Sequence, residues 1–540
     1  MTSKTSLGAT RTAIGDAHHD VDVLVIGGGP AGTWAACTAA AGGASVVLAD
    51  KGYCGSSGAT APSGTGVWYV SPDPAKRDAA MASREAMGGF LADRAWMKRV
   101  LDRTHDNIDL LAERGYPFPL DDQGVSRRDS LQGPEYMRLM RRRVKEAGAR
   151  ILDHSPALEL LVDEDGAVAG AIGIRRQEGT RWSVHAKAVV LATGGCAFLS
   201  KALGTNVLTG DGYLMAAEAG ADLSGMEFSN AFAISPIFST VTKTRFYQWG
   251  TFFYEDGSII PEATSRRRSI IAEALMKGPV FAQLDRADEK VQAIMRSSQP
   301  NFFLPFDRAG INPFAQRFPV TLRLEGTVRG TGGLRITDKS CATSVPGLYA
   351  AGDAATRELI CGGFTGGGSH NAAWAMSSGY WAGEAAADYS RQLVQSSARR
   401  LRPAGGAALA GGRERAFDPD AVVKAVQDEV FPYAKNYFRS GDALTESLGK
   451  LDATWTKLRN ADAASAEHVV RAREAAAMTA TARWMYRSAL TRTETRGMHK
   501  RSDHPSQESA QRHYLTVGGL DEVWVARRAA PALERKEVAA

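Results

Sequence analysis

Three kinds of apolar spacing alternate along the chain. Val23–Ile26, Ser45–Ala49, Ala188–Ala192 and Leu348–Ala351 are short, almost purely apolar runs closed by glycine or by an acid. That pattern suits strands buried on both faces of a parallel sheet. Helical spacing covers Pro74–Arg114, where Met81, Met87, Trp96, Val100, Ile108 and Leu111 read as core positions, and returns in Pro134–Ala147, Ala372–Asp388 and Asp418–Arg492. Arg150–Val162, Val168–Arg175 and Trp182–Ala186 read as a strand meander with turns at Asp163–Gly166 and Glu178–Thr180, and Tyr514–Arg527 as a hairpin turning at Gly518-Gly519. From Met226 to about Leu324 the parallel-sheet rhythm is lost among aromatics, prolines and charges, with one strand expected in Gly278–Asp285. The prediction is an α/β protein: a doubly wound sheet interrupted by a domain of different texture and followed by helices.

The stretch Val21–Asp50 holds a complete strand, glycine turn, helix and second strand. Gly27 permits the tight turn, Gly29 lets backbone approach a pyrophosphate, and Gly32 lets the helix Pro30–Ala41 pack closely on the strand. Free amides at that helix start, together with its dipole, would hold phosphates, and Asp50 at the end of the next strand would accept ribose hydroxyls. A dinucleotide cofactor is therefore expected. The loop Lys51–Gly66 has almost no bulk and can lie against a large flat ligand. Further glycine-rich strand ends occur at Thr193-Gly194-Gly195 and Gly352-Asp353, with the turn Thr209–Gly212 and the helix-initiating loop Gly362–Asn371 beside them.

Composition narrows the class without changing it. With 540 residues the chain exceeds one ordinary core, and 44% apolar with 23% charged residues is the balance of a soluble globular protein. A net charge of +6 is modest for this length, so Arg141-Arg142-Arg143 and Arg266-Arg267-Arg268 are read as solvated helix faces and not as nucleic-acid contacts. No apolar run reaches membrane-spanning length and the start lacks a hydrophobic signal core, which points to the cytoplasm. Cys37, Cys54, Cys196, Cys341 and Cys361 are scattered, so no disulfide framework, iron–sulfur cluster or metal site is read.

Taken together, the N-terminal fingerprint, Ala192–Gly195, Thr209–Gly212, Gly347–Asp353 and the late stretch Arg492-Thr493-Glu494-Thr495-Arg496-Gly497-Met498-His499-Lys500-Arg501-Ser502-Asp503 resemble the flavoprotein family of fumarate reductase and succinate dehydrogenase, with aspartate oxidase and adenylylsulfate reductase as relatives. The resemblance implies FAD, a Rossmann-like FAD-binding domain, an inserted α+β capping domain and a C-terminal helical domain. The expected boundaries are a disordered tail at 1–20, the FAD-binding domain at 21–225 and 326–392, the capping domain at 226–325, a linker at 393–415, the helical domain at 416–510 and a hairpin with tail at 511–540. Cofactor contacts are assigned to Gly27, Gly29, Pro30, Ala31, Gly32, Asp50, Lys51, Ser57, Gly58, Ala59, Thr193, Gly194, Gly195, Asp211, Gly352, Asp353, Ser369 and Asn371.

Departures from the family pattern shape the rest. Gly58 stands where succinate dehydrogenases attach FAD to a histidine, which implies non-covalent FAD. The substrate-binding histidine of the family is replaced by Glu325 or by Val328, depending on the anchor of the alignment, and Gly366 stands where a dicarboxylate-binding arginine is expected. The cap arginine of the family is missing at Gly257–Ile260. A strict fumarate or succinate enzyme is not expected. His370 is the candidate for proton transfer, or else hydrogen-bonds cofactor or backbone; Arg329 either binds a substrate carboxylate or forms a cap-to-core salt bridge; Glu325 is the third candidate. Arg245, Arg266 and Arg357 are further carboxylate partners to examine, Cys54 and Cys361 are thiols near the cofactor, and Glu494, Arg496 and His499 are read as structural support. The expected reaction is dehydrogenation or reduction of a small polar, carboxylate-bearing metabolite. The alternatives are an amino-acid or amine oxidase using oxygen, and an electron-transfer subunit with an iron–sulfur or quinone-binding partner. The partner set is a small-molecule substrate and an electron acceptor (oxygen, a quinone or a redox protein), without nucleic acid or membrane span and with a homo-oligomer left open.

Overall fold

The computed structural model describes residues 17–121, 123–265, 267–365, 368–393, 399–409, 417–459, 461 and 468–532. Of the sequence expectations, most of the N-terminal tail, Arg266 and Gly366 lie outside the described residues, as do parts of the linker and the C-terminal end.

An eight-stranded sheet forms the centre, and its axis is the strand Arg181–Leu191. Along one side this strand runs parallel to Ala17–Ile26 from Ala17↔Trp182 to Ile26↔Leu191. Its other side forks. The first half pairs antiparallel with Val168–Ile174, and the second half pairs parallel with Leu348–Ala350. Beyond Ala17–Ile26 the sheet continues in parallel through Val46–Ala49 to Arg150–Leu152. The apolar runs lie where the sheet is covered on both faces: Val23, Leu24, Val25, Val189, Val190 and Leu191 are fully buried. Each such side chain contributes about 1.5–3 kcal/mol relative to exposure.

Several sequence expectations need correction. The first strand starts at Ala17, not Val21, because residues 17–20 continue the parallel ladder against Trp182–His185, a stretch whose alternating pattern sets His18 and Asp20 beside the polar Ser183 and His185. Arg150–Val162 is not one strand: it breaks at Asp153–Pro156, sending Arg150–Leu152 to one edge of the sheet and Ala157–Val162 to the meander. Within the supposed linker, Arg402–Pro403 pairs with Leu161 and Val162 as an edge strand. Pro74–Arg114 is two helices, Pro74–Met87 and Arg94–Glu113, separated at Gly88-Gly89.

Small residues set how closely helices approach this sheet. A Cβ on Gly379 or Gly383 of the helix Gly368–Gln392 would sit 2.3 Å from the carbonyl oxygen of Ala31 or Ala35, so the two helices that flank the cofactor region are in backbone contact. The inserted region forms its own antiparallel sheet from Ala231–Pro236, Phe318–Glu325, Val280–Gln283 and Thr251–Phe253. Its core is aromatic, with Phe246, Phe302, Phe306 and Phe318 in ring contact. The C-terminal domain is organised by Val469–Thr491, a helix buried nearly all round and rich in alanine. The hairpin His513–Gly518 with Trp524–Ala529 extends a small sheet whose other strands, Leu223–Ser224 and Gly333–Leu334, flank the cap in sequence. No helix among the described residues is long and apolar enough to cross a membrane.

Candidate active site

The glycine turn at 27–32 divides its labour between packing and open space. Gly27 has φ +111°, and a Cβ there would meet the Ala192 carbonyl oxygen at 2.2 Å; a Cβ on Gly32 would lie 1.7 Å from the Gly27 carbonyl oxygen. Gly29 is the opposite case, with no atom within 4 Å of the place a Cβ would take. The helix Pro30–Ala41 begins there with proline in its first turn and no side-chain cap. Its first amides therefore face the open side of the turn, as an anionic phosphate requires.

Asp50 is held differently from expectation. Three protein donors converge on its carboxylate, the Gly28 amide at 2.6 Å, the Gly52 amide at 2.7 Å and the Ser57 hydroxyl at 2.9 Å. A carboxylate has about four lone-pair positions, so one is left for a ribose hydroxyl. Lys51 and Asp211, both assigned to the cofactor, pair with each other at 2.6 Å, and Lys51 also reaches Glu474 of the long C-terminal helix at 2.7 Å. They pin the helical domain to the cofactor domain. Gly58 has φ +84° and empty space at its Cβ position, and the neighbouring Ala59 carbonyl accepts a hydrogen bond from Lys243 of the cap at 2.5 Å.

The opposite wall comes from the second sheet segment. Thr193 and Gly194 keep part of their surface accessible, while Gly195 packs its backbone on Thr327. Gly352 has φ +65° and its amide donates to Ser378; Asp353 pairs with the fully buried Arg357, which also donates to the Thr327 carbonyl at 2.8 Å. Arg357 is thus already engaged and is not a free carboxylate partner. Ser369, His370 and Asn371 open the helix Gly368–Gln392. His370 Nε2 and Asn371 Oδ1 are buried without a partner among the described residues. Adjacent orphaned atoms of this kind fit a ligand with a polar edge. Burial first, then the nearby Arg84 guanidinium, hold the His370 imidazole well below its ordinary pKa. Its ring lies 4.4 Å from that of Trp68. A neutral imidazole at pH 7 can hydrogen-bond a ligand edge there, the second of the two roles expected for it.

Facing this wall, the cap supplies charge. Glu325 ends the strand Phe318–Glu325, is fully buried, and accepts from the Thr242 hydroxyl at 2.6 Å and from Arg329 at 3.0 Å. Burial alone would raise its pKa, but Arg329 and Lys243 beside it keep it below the usual value. Arg268 donates only to the carbonyls of Ser265 and Phe232 among the described residues, at 3.1 and 3.2 Å. Lys243 has no carboxylate at ion-pair distance among the described residues; burial lowers its pKa to about 8 against the opposing pull of Glu325. Lys243, Arg268, Arg329 and Asp353 are surrounded by protein yet retain accessible surface, as side chains lining a cleft do. Of the two carboxylates near these cations, Glu325 is bound by Arg329 and Asp353 by Arg357, which leaves Lys243 and Arg268 without an ion-pair partner among the described residues.

Sequence reasoning does not single out Lys243, Arg268, Arg84 or Trp68. Arg268 belongs to an arginine triplet read as a solvated face; it starts the helix Arg268–Leu275 and turns inward. Arg245 is exposed. Both thiols are fully buried, and burial pushes Cys54 up to about 12 and Cys361 up to about 11, which disfavours the nucleophilic thiolate. Arg492, Glu494, Arg496 and His499 form a buried network instead of a reactive group. Arg492 bridges Glu227 and Glu494, Arg496 clasps Glu494 at 2.6 and 2.9 Å, and Arg439 donates to His499 Nδ1 at 2.8 Å.

Comparison with known proteins agrees with this architecture. The FAD binding domain family matches residues 22–238, and the fumarate reductase flavoprotein C-terminal family matches residues 429–538. L-aspartate oxidase of Streptomyces coelicolor is 27% identical over 416 residues, covering 71% of this chain and 69% of its own length. One chain of the CoM/CoB fumarate reductase of Methanothermobacter marburgensis is 24% identical over 541 residues, covering 90% of this chain and 95% of its own. The fold is shared with E. coli quinol fumarate reductase at a TM-score of 0.81 and 19% identity, over 96% of this chain and 98% of that one. A glycine cradle open at Gly29, a cap closing over it and a buried C-terminal arginine network thus coincide with these matches, and the chain is an FAD-dependent oxidoreductase that carries an FAD binding domain at 22–238 and a fumarate reductase flavoprotein C-terminal domain at 429–538.

Proposed function

We propose that the protein oxidises or reduces a small carboxylate-bearing metabolite held between the cap and the FAD-binding domain. One observation carries this reading: Lys243 and Arg268, cap cations enclosed by protein beside the Glu325–Arg329 pair, have no carboxylate at ion-pair distance among the described residues. Two uncompensated cations in a low-dielectric site are costly unless an anion joins them. FAD, when bound, supplies the two-electron acceptor or donor. The residues proposed to hold it, without a covalent bond, are the turn Gly27–Gly32, Asp50, the loop Ser57–Ala59, Thr193–Gly195, Gly352-Asp353 and Ser369–Asn371. The chain's own work is to orient the carboxylate on Lys243 and Arg268 and to exclude water by closing the cap onto Ala59. Two of the relatives are named for aspartate and fumarate, both small carboxylates.

Glu325 favours a second reading. Its ionised carboxylate, buried behind Arg329 and Lys243, adds a negative charge beside the cations, a mixed field that suits an amino acid whose carboxylate lies on Lys243, as an amino-acid oxidase would need. The fumarate reductase relative that covers nearly the whole chain is named as one component of a larger enzyme, which supports the variant with a separate redox partner. Five free, buried thiols suit a reducing compartment and support a cytoplasmic placement. The test is anaerobic addition of mono- and dicarboxylates, amino acids and amines to the FAD-loaded protein while its flavin absorbance is followed in both redox states. Bleaching or recovery by a carboxylate is expected; a response to neutral amines alone would overturn the proposal. Reoxidation by air then separates an oxidase from a protein that hands electrons to a partner.

A further inference from the structure

At the amino ends of the central strands, far along the sheet from the glycine cradle, three metal-ligating side chains meet on one face. Parallel register sets His18 beside Ser183 and Asp20 beside His185, so residues 18, 20, 183 and 185 project to the same side of the sheet. His18 Nε2 lies 3.0 Å from Asp20 Oδ2, and His185 Nδ1 lies 3.5 Å from Asp20 Oδ1. The two imidazole rings are 4.4 Å apart, and one ligand atom from each residue falls within 4.8 Å of the others. Zinc bonds of about 2.0–2.2 Å in a tetrahedron require neighbouring ligand atoms to be about 3.3–3.6 Å apart. The 3.5 Å pair falls within that spacing and the 3.0 Å pair just below it.

We propose that His18, Asp20 and His185 form a surface site for a divalent transition metal of zinc type, with a fourth position open to water. The surroundings favour it. Ser183 Oγ is 2.9 Å from His18 Nδ1, where it can accept the Nδ1 proton and leave Nε2 as a ligand. The nearby Lys187 is paired with Asp22 at 2.8 Å, so its charge does not oppose a cation. His19 points to the other face, toward Arg150, and takes no part. The site joins two strands 165 residues apart in sequence, so a bound ion would staple the first strand onto the central one. No local ligand spacing announces this triad, because it exists only through the strand register.

The test is calorimetric titration of the metal-stripped, FAD-loaded protein with zinc chloride, together with the absorption of the cobalt(II) form and thermal melts with and without zinc. One zinc per chain, a cobalt spectrum of tetrahedral intensity and a higher melting temperature are expected. His18→Gln and His185→Gln should each weaken zinc binding about 10-fold or more, while His19→Gln leaves it unchanged. All three side chains are on the surface, and circular dichroism of each variant guards against misfolding. Absence of zinc uptake by the unaltered protein, or equal uptake by the His18→Gln/His185→Gln double variant, would overturn the proposal.

Discussion

Replacing Gly29 by alanine separates the cofactor cradle from the fold more cleanly than any other change in the turn. Gly29 lies at φ −74° and ψ −172°, backbone that alanine adopts without strain, and its Cβ would enter empty space. Two small effects on the apoprotein oppose each other. Gly29 is the N-cap, where alanine is inferior to glycine by about 0.5–1 kcal/mol, while the loss of unfolded-state freedom from Gly to Ala returns about 0.4–1 kcal/mol. The apoprotein should stay within about 1 kcal/mol of wild type. FAD binding should not, because the new methyl group occupies the space through which a pyrophosphate reaches the amides of Ala31 and Gly32. A hydrogen bond to a charged group is worth about 1.5–3 kcal/mol, and losing one predicts a Kd about 10- to 150-fold higher. Titration of apoprotein with FAD, followed by flavin fluorescence, measures the affinity, and urea denaturation of the apoprotein measures the stability. Gly32→Ala is the contrasting control: its Cβ, 1.7 Å from the Gly27 carbonyl oxygen, must displace the helix and lower stability as well. If Gly29→Ala binds FAD within about twofold of wild type, the phosphates do not pass over Gly29 and the reasoning fails.

Three other outcomes follow from the site. Lys243, with its pKa lowered to about 8, is charged below that value and neutral above it, so KM for an anionic substrate should rise as pH increases through about 8. Lys243→Arg should remove this break and Lys243→Met should raise KM throughout; a pH profile unchanged in Lys243→Met refutes the role. Glu494→Gln leaves the buried Arg492 and Arg496 without their shared anion and should cost about 3–5 kcal/mol in urea denaturation, because breaking a buried pair strands a charge. Acid precipitation should release all yellow colour into the supernatant, since Gly58 offers no side chain for a covalent bond to the flavin; colour retained in the pellet would refute non-covalent attachment.

What can be read from the sequence follows the range of the interactions involved. Val23–Ile26, Gly27–Gly32 and the helix Pro30–Ala41 are legible because a buried strand, a steric glycine and a helix start are local demands of the chain. The cap is bounded by its change of texture, although its strands Ala231–Pro236 and Thr251–Phe253 carry no strict alternation and give no strand signal. Arg150–Val162 reads as one meander segment although Asp153-His154-Ser155-Pro156 interrupts its apolar residues; that break is where its two halves part to opposite sides of the sheet. Lys51 and Asp211 look like cofactor ligands because each flanks a glycine turn; only the tertiary fold shows that they meet each other and Glu474. Lys243 and Arg268 carry no local signal, since a lone lysine and one arginine of three acquire meaning only when the cap brings them beside Glu325.

The missing histidine and cap arginine of the family pattern acquire a physical sense from the path of the chain at 325–329. The strand ends at Glu325 and is followed by a single helical turn, Gly326–Arg329, which sends Val328 into a small apolar cluster with Ala197 and Leu208. Val328 is therefore a packing residue, and Glu325 is the buried carboxylate that the strand places beside Arg329 and Lys243. A carboxylate in that position would repel an anionic substrate if it stood alone. It does not, because Arg329 one turn later binds it and Lys243 and Arg268 surround the pair from the rest of the cap. Where the resemblance expects an arginine at Gly257–Ile260, the cap instead holds Lys243 and Arg268 near the Glu325–Arg329 pair. On the proposed reading, such a site attracts a carboxylate through Lys243 and Arg268 while a negative charge lies close behind them. A substrate carrying both a carboxylate and an ammonium matches that pattern of charge more fully than a dicarboxylate does, so amino acids are the first members of the panel to be tried.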